Sequence, residues 1–212
     1  MQLYGFFRSG TSHRLRIALN LKGVSYEQVA VNLRREEHLG PAYAAINPQR
    51  LVPALAVDGR ILTQSPAIIE WLEELYPQPS LLPADPWQRA QVRALAAIVG
   101  CDIHPINNRR VLERLKSDFG ASEAAVNDWC AGWIGAGFDA FEALLKLHDL
   151  GGPFSAGTNP SLADVYLIPQ IESARRFKVD MERWPRLLAI DTTCQQLIAF
   201  QKAAPSVQPD AL

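Results

Sequence analysis

The chain has 212 residues, 48% of them hydrophobic and 20% charged, with a formal net charge of −1. That length suits one large domain or two small ones, and that balance suits a globular chain. So little net charge gives no global field for nucleic acid or an anionic membrane, and no apolar run approaches the about 20 residues of a bilayer span. The first residues carry no basic stretch followed by an apolar one, so no secretory signal is expected. Cys101, Cys130 and Cys194 are widely spaced and outside any Cys-x-x-Cys pair; they read as buried, reduced thiols of a cytoplasmic protein. The spacing of His, Cys, Asp and Glu suggests no metal site.

Residues 1–77 alternate strand and helix signals. Leu3–Phe7 reads as a strand and Thr11–Leu21 as a helix closed by Lys22-Gly23. Tyr26–Val31 reads as a second strand, and 34–46 as a weak helix or loop. Two short strands, 51–57 and 61–63, flank Asp58-Gly59, a two-residue hairpin signal. Ser65-Pro66 then opens a helix to about Tyr76, with Ser65 as N-cap and Pro66 at the first helical position. The order β-α-β-α-β-β-α is that of a thioredoxin-like domain. Pro77, Pro79, Pro83 and Pro86 mark a linker at 78–86.

From 87 to 212 only helical periodicity remains, over roughly 86–117, 122–148, 161–178 and 185–202. Trp129, Trp133, Phe138, Phe141, Leu144 and Leu145 are expected in the core. Ser161-Leu162-Ala163-Asp164 forms a capping box with a structural role. The tail after Ala203 is polar and contains prolines, so it is expected to fray.

The most informative segment is Arg8-Ser9-Gly10-Thr11-Ser12-His13-Arg14-Leu15-Arg16-Ile17-Ala18-Leu19. It places hydroxyls at a strand-to-helix turn, beside free backbone N–H groups and the positive end of the helix dipole. Such a turn can hold an anion or lower the pKa of a thiol. Taken singly, each residue reads better as an ordinary cap or a solvated basic side chain. Taken together they resemble the S-S-C-[S/T]-x-R-[V/L]-R-I-A-L signature of the zeta class of glutathione transferases, with Gly10 for the second serine and Thr11 for the cysteine. The likeness runs through most of the chain. It implies a glutathione transferase fold: an α/β, thioredoxin-like N-terminal domain (1–77) and an all-α C-terminal domain (87–212).

The resemblance also implies glutathione as cofactor and assigns residues to it. Ser9 and Thr11 become catalytic contacts to the thiol, with Gly10, Ser12, His13 and Arg14 beside them. Val52-Pro53 takes the place of the cis-proline that pairs with the peptide backbone, although alone it reads as a strand-edge proline. Gln64 and Ser65 fall where the γ-glutamyl carboxylate binds, at a helix N-terminus. His38 is a candidate for the glycyl carboxylate or a solvated surface histidine.

In the helical region, Pro105 is expected to kink or break a helix and to push His104 out of the α conformation, with His104 and Asn108 on one face and both toward the cofactor. Arg8, Arg109, Arg110 and Arg176 suit a dianionic substrate, and Arg176, in Arg175-Arg176-Phe177-Lys178-Val179, matches the family's carboxylate-binding arginine.

The family includes glutathione-dependent isomerases of maleyl diacids, so the reading is cis–trans isomerisation by reversible thiolate addition to an alkene. The extra arginine pair favours maleylpyruvate, giving fumarylpyruvate, over maleylacetoacetate. A general glutathione S-transferase, a haloacid dehalogenase and a non-catalytic glutathione-binding module remain open. The family's habit further implies a cytoplasmic homodimer that binds neither nucleic acid nor membrane.

Overall fold

A computed structural model describes residues 1–211. Backbone contacts divide it into two compact units, one of Met1–Ser80 together with the segment from Gln195 onward, the other Leu81–Cys194.

The first unit is built on a four-stranded mixed sheet. Strands β1 (Gln2–Gly5), β2 (Glu27–Ala30), β3 (Ala54–Val57) and β4 (Arg60–Thr63) lie in the order β2-β1-β3-β4. β1 runs parallel to β2 and antiparallel to β3, which pairs antiparallel with β4. Helix α1 (Gly10–Leu21) makes the crossover between the parallel pair. The β3–β4 hairpin turns on Asp58 (φ 49°) and Gly59 (φ 75°), the two positive φ values that a primed turn needs. A short α2 (Pro41–Ile46) and α3 (Ser65–Leu75) complete the alternation. The core is Leu3, Leu15, Ile17, Leu19, Leu55, Ile68 and Leu72, all fully buried.

Two expectations fail in this unit. Ser65 is the first helical residue of α3, not its cap: Gln64, at φ 68°, takes the cap position and makes no side-chain capping bond. The tail does not fray. Helix α9 (Ile198–Ala203) packs on α1, with Asn20 Nδ2 donating to Ala199 O at 2.9 Å, and Gln208 beyond it is buried. Residues from 195 on, which helical periodicity groups with the second region, therefore belong to the first unit.

The second unit is helical: α4 (Pro86–Ala97), α5 (Arg109–Phe119), α6 (Glu123–His148), α7 (Leu162–Arg176) and α8 (Pro185–Cys194). Phe138, Phe141 and Trp184 fill its core. Trp129 and Leu144 are only half-buried, and Trp133 is 42% exposed, so the expected aromatic core is smaller than its sequence stripe. The helical run 86–117 is split. After α4 the winding widens to a π-helix at Ile98–Ile103, and a turn follows before α5. Gly100 lies so close to Tyr166 on α7 that a Cβ there would meet the ring at 2.8 Å, and a Cβ at Gly137 on α6 would overlap Ile103. The capping box is present: Asp164 is fully buried and accepts from Ser161 N (2.7 Å), Ser161 Oγ (2.8 Å) and Ser155 N (2.8 Å). Of the cysteines expected to be buried, Cys130 and Cys194 are, whereas Cys101 is exposed on the π segment.

Candidate active site

The turn from β1 into α1 is closed by Ser9 N–H donating to Phe6 O at 3.0 Å. Ser9 caps α1: its Oγ accepts from Ser12 N at 3.2 Å. The same Oγ lies 2.9 Å from Thr11 Oγ1, which donates to the Val52 carbonyl at 2.9 Å. A carbonyl only accepts, so the single Thr11 proton goes to Val52 and Ser9 donates to Thr11. Ser9, Thr11 and Val52, the last of them more than forty positions further along the chain, thus form one hydrogen-bonded row beside the cis Val52–Pro53 bond.

A second group sits at the N-terminus of α3. Ser65 is 2% exposed and its Oγ accepts from Arg14 Nη1 at 3.1 Å. Arg14 is itself buried, so a guanidinium backs a helix end that already carries partial positive charge. Gln64 Nε2 donates to Gln49 Oε1 at 2.6 Å, a partner that the sequence pattern did not single out. Gln49 is in turn ordered by its N–H donating to Asn47 Oδ1 at 3.0 Å.

Two neighbours take interior positions. Ser12 is fully buried, its Oγ accepting from Phe6 N at 3.4 Å where Gly5 leaves room for it. His13 is 4% exposed, and burial, with the Arg16 charge second, drives its pKa down to about 3. Both are packed inside the first unit. Gly10 is the first helical residue, Arg8 is exposed, and His38 is half-buried on a 3-10 turn, Glu37–Leu39.

The remaining candidate residues lie in the second unit. His104 has α-helical angles (φ −61°, ψ −45°) and donates its N–H five residues back to Val99 O at 2.9 Å. The expected push out of the α region therefore does not occur. The π winding ends the ordinary ladder before Pro105, so the ring displaces no hydrogen bond of an α-helix. Nor do His104 and Asn108 share a helix face. Asn108 (φ −66°, ψ 143°) is the N-cap of α5 and its side chain accepts from Arg110 N at 3.2 Å. Arg109 and Arg110 are exposed in the first turn of α5, where no acidic residue stands, and Arg109 pairs with Glu113. Two arginines at a helix N-terminus oppose its dipole, which makes that end strongly attractive to anions. Arg175 and Arg176 diverge in role: Arg175 pairs with Asp191 at 2.5 Å, while Arg176 is exposed, donates to Ser173 Oγ at 3.1 Å and lies 5.1 Å above the Phe177 ring. Nearby Cys130 is inert as a nucleophile, its thiol pushed up to about 11 by burial despite the Arg176 charge.

Residues 3–80 match the glutathione S-transferase N-terminal domain family. Over 211 residues the chain is 64% identical to a maleylpyruvate isomerase of a Ralstonia species, covering 100% of both proteins. A solved holo structure of a bacterial maleyl pyruvate isomerase, described as a glutathione S-transferase in the zeta class, superposes with a TM-score of 0.99 at 64% identity over 100% of both chains. The chain belongs to the zeta-class glutathione transferases. A maleylacetoacetate isomerase from Methylobacterium extorquens AM1, solved with bound malonate and GSH, shares 37% identity at a TM-score of 0.96 over 100% of both chains. This zeta-class protein has the glutathione transferase fold that its sequence implies, and the hydroxyl row and the Arg14–Ser65 pair both lie in its first unit.

Proposed function

We propose that this zeta-class transferase is a glutathione-dependent isomerase that converts maleylpyruvate to fumarylpyruvate. The observation that carries the reading is the row of hydroxyls, Ser9 to Thr11 to Val52 O, at the positive end of α1. The residues fit a tripeptide with one thiol and two carboxylates. A thiolate needs a donor, and Ser9 O–H has only the neutral Thr11 oxygen to leave. A carboxylate suits the α3 N-terminus, where the Ser65 hydroxyl and Arg14 guanidinium stand together. His38, His104 and Asn108 are assigned to the remaining polar groups of the cofactor.

Bound glutathione supplies a thiolate that adds reversibly to the cis alkene, permits rotation about the former double bond and departs unchanged. No oxidant or reductant enters and no proton is consumed overall. Ser9 holds the sulfur ionised by donating its hydroxyl proton, a charge-assisted bond. Thr11 stays bonded to the Val52 carbonyl, accepts from Ser9 until the sulfur takes over that hydrogen bond, and, having no thiol, cannot form a disulfide there. Arg176 takes one substrate carboxylate in a bidentate fork, its guanidinium already steadied by Ser173 and Phe177. Arg8, Arg109 and Arg110 serve the second carboxylate and the negative charge that develops on the ketone oxygen. The protein acts as a homodimer in the cytoplasm, where Cys101, Cys130 and Cys194 stay reduced.

The deciding experiment measures glutathione-dependent absorbance loss with maleylpyruvate and with maleylacetoacetate. Faster turnover of maleylpyruvate per unit concentration is expected. Preference for maleylacetoacetate, the substrate in the name of the Methylobacterium relative, moves the assignment to that diacid. Stoichiometric loss of free thiol would make the protein a transferase instead. Sedimentation at micromolar concentration should give twice the chain mass, and a monomer would refute the dimer.

A further inference from the structure

The tail does more than pack. After α9 a 3-10 turn, Pro205–Val207, leads to Gln208, whose Nε2 donates to Lys202 O at 2.9 Å and to Ala204 O at 2.8 Å. Asp210 then reaches back across the unit. Its Oδ2 accepts from Phe7 N at 2.9 Å and its Oδ1 from Gln28 Nε2 at 2.8 Å. Arg16, fully buried, holds the same residue through its other polar group: Nη2 donates to Phe7 O at 3.0 Å, and Nε to Ala203 O at 2.9 Å. The two peptide groups flanking Phe7 are thus fixed, one by a carboxylate and one by a guanidinium. Ser9 comes two residues later, its N–H tied to Phe6 O. The clamp also balances charge. Burial lowers the Arg16 pKa to about 10, and Tyr26 and Asp210 offset part of that penalty.

We propose that Asp210 is a positioning residue for the isomerase site: acting through Phe7, with Arg16 as its counterpart, it aligns the Ser9 hydroxyl with the cofactor sulfur. This rests on the reading that Ser9 donates to a glutathione thiolate. The Asp210 carboxylate bonds to Phe7 and Gln28 rather than to Ser9 or Thr11, and nothing in the tail's composition announces it.

Charge and alignment pull in opposite directions, which makes the proposal decidable. Removing the Asp210 carboxylate leaves Arg16 less balanced, and a more positive turn would lower the thiol pKa. Loss of alignment weakens the Ser9 bond and raises it. The test takes Asp210→Ala, Asp210→Glu and Asp210→Asn, and reads three quantities. These are amide exchange at Phe7 in the protein alone, the pKa of bound glutathione from its ultraviolet thiolate band, and the thermal midpoint. Asp210→Ala should speed Phe7 exchange about tenfold or more and raise the thiol pKa by about half a unit or more. Asp210→Glu keeps the charge, displaces the acceptor and should also raise the thiol pKa, which keeps the test open if the alanine variant folds poorly. Asp210→Asn should restore slow Phe7 exchange and leave the thiol pKa at or below that of the unaltered protein, because its Oδ1 can still accept from Phe7 while the carboxylate charge is gone. Its Nδ2 can donate to Gln28 Oε1, a buried atom with no partner in the structure. A thiol pKa that is unchanged or lowered in both Asp210→Ala and Asp210→Glu overturns the proposal, whatever the thermal midpoint does. If the unaltered protein binds glutathione without lowering its thiol pKa, the cofactor role of Ser9 fails, and with it this proposal's link to the sulfur. Phe7 exchange then shows separately whether Asp210 holds the turn.

Discussion

Ser9→Ala separates the two tasks of one hydroxyl. The side chain caps α1 by accepting from Ser12 N at 3.2 Å, and it donates along the row to Thr11 at 2.9 Å. Losing a serine cap costs about 1 kcal/mol, which in a chain of this size lowers the thermal midpoint by about 2–4 °C. Losing one hydrogen bond to a charged sulfur costs about 1.5–3 kcal/mol, and at about 1.4 kcal/mol per unit the bound thiol pKa should rise by about 1–2 units. Turnover near neutral pH should fall with the thiolate fraction and recover as the pH passes the raised pKa. Ser9→Gly supplies the control, since glycine at an N-cap costs only a few tenths of a kcal/mol. It should regain most of the midpoint and none of the thiol pKa. The assays are thermal melting by circular dichroism and ultraviolet titration of the thiolate in the complex. A lowered midpoint in Ser9→Ala with an unshifted thiol pKa would refute the donor role and leave Ser9 a cap alone.

Arg176→Ala should lower kcat/KM for the diacid by about tenfold or more while the Kd for glutathione stays within about twofold; equal loss of both would give Arg176 a cofactor or structural role. Alanine substitutions of Arg109 and Arg110 should be unequal, because adjacent helical residues diverge by about 100°, and Arg109 is partly engaged by Glu113. Full activity of both variants with maleylpyruvate would remove the charge argument for that substrate. His13 titrates at about 3 when folded against 6.5 unfolded, so the unfolded chain binds the extra proton between those values. Its contribution to stability is whole above about pH 6.5 and falls by up to about 1.4 kcal/mol per unit as the pH drops toward 3. Urea unfolding of His13→Leu should show a shallower acid limb than the unaltered chain, and parallel limbs would contradict the burial argument.

The legibility of the fold varies with how local its signals are. The β3–β4 hairpin rests on two adjacent residues whose positive φ values Asp and Gly tolerate, so Asp58-Gly59 marks it in the sequence. The α1 turn was equally open, because cap, hydroxyls and basic residues fall within one short run. Ser65 misled because Ser-Pro is a common cap signature, whereas here Gln64 holds the left-handed angle and leaves the Ser65 hydroxyl to Arg14. That pairing joins residues 51 positions apart, and no spacing rule reaches so far. The shared face of His104 and Asn108 is lost because the helix ends in a turn between them, and Asn108, with extended angles, starts α5 as its N-cap, so an i,i+4 spacing no longer means a common face. The tail read as polar and proline-broken, which is what frayed ends look like; its order depends on Asp210 meeting Phe7, 203 residues away.

The wide turn at Ile98–Ile103 gives the helical unit an unusual sensitivity to chain length. A π turn holds one residue more than the α winding it replaces. Deleting a single residue there would let α4 continue as an ordinary helix, and everything up to Asn108 would rotate by about 100° about its axis. The arginine-bearing end of α5 would then point elsewhere with its own sequence intact. Relatives that gain or lose one residue in this short stretch would re-aim that basic end in one step, whereas point substitutions would have to build a new one side chain by side chain.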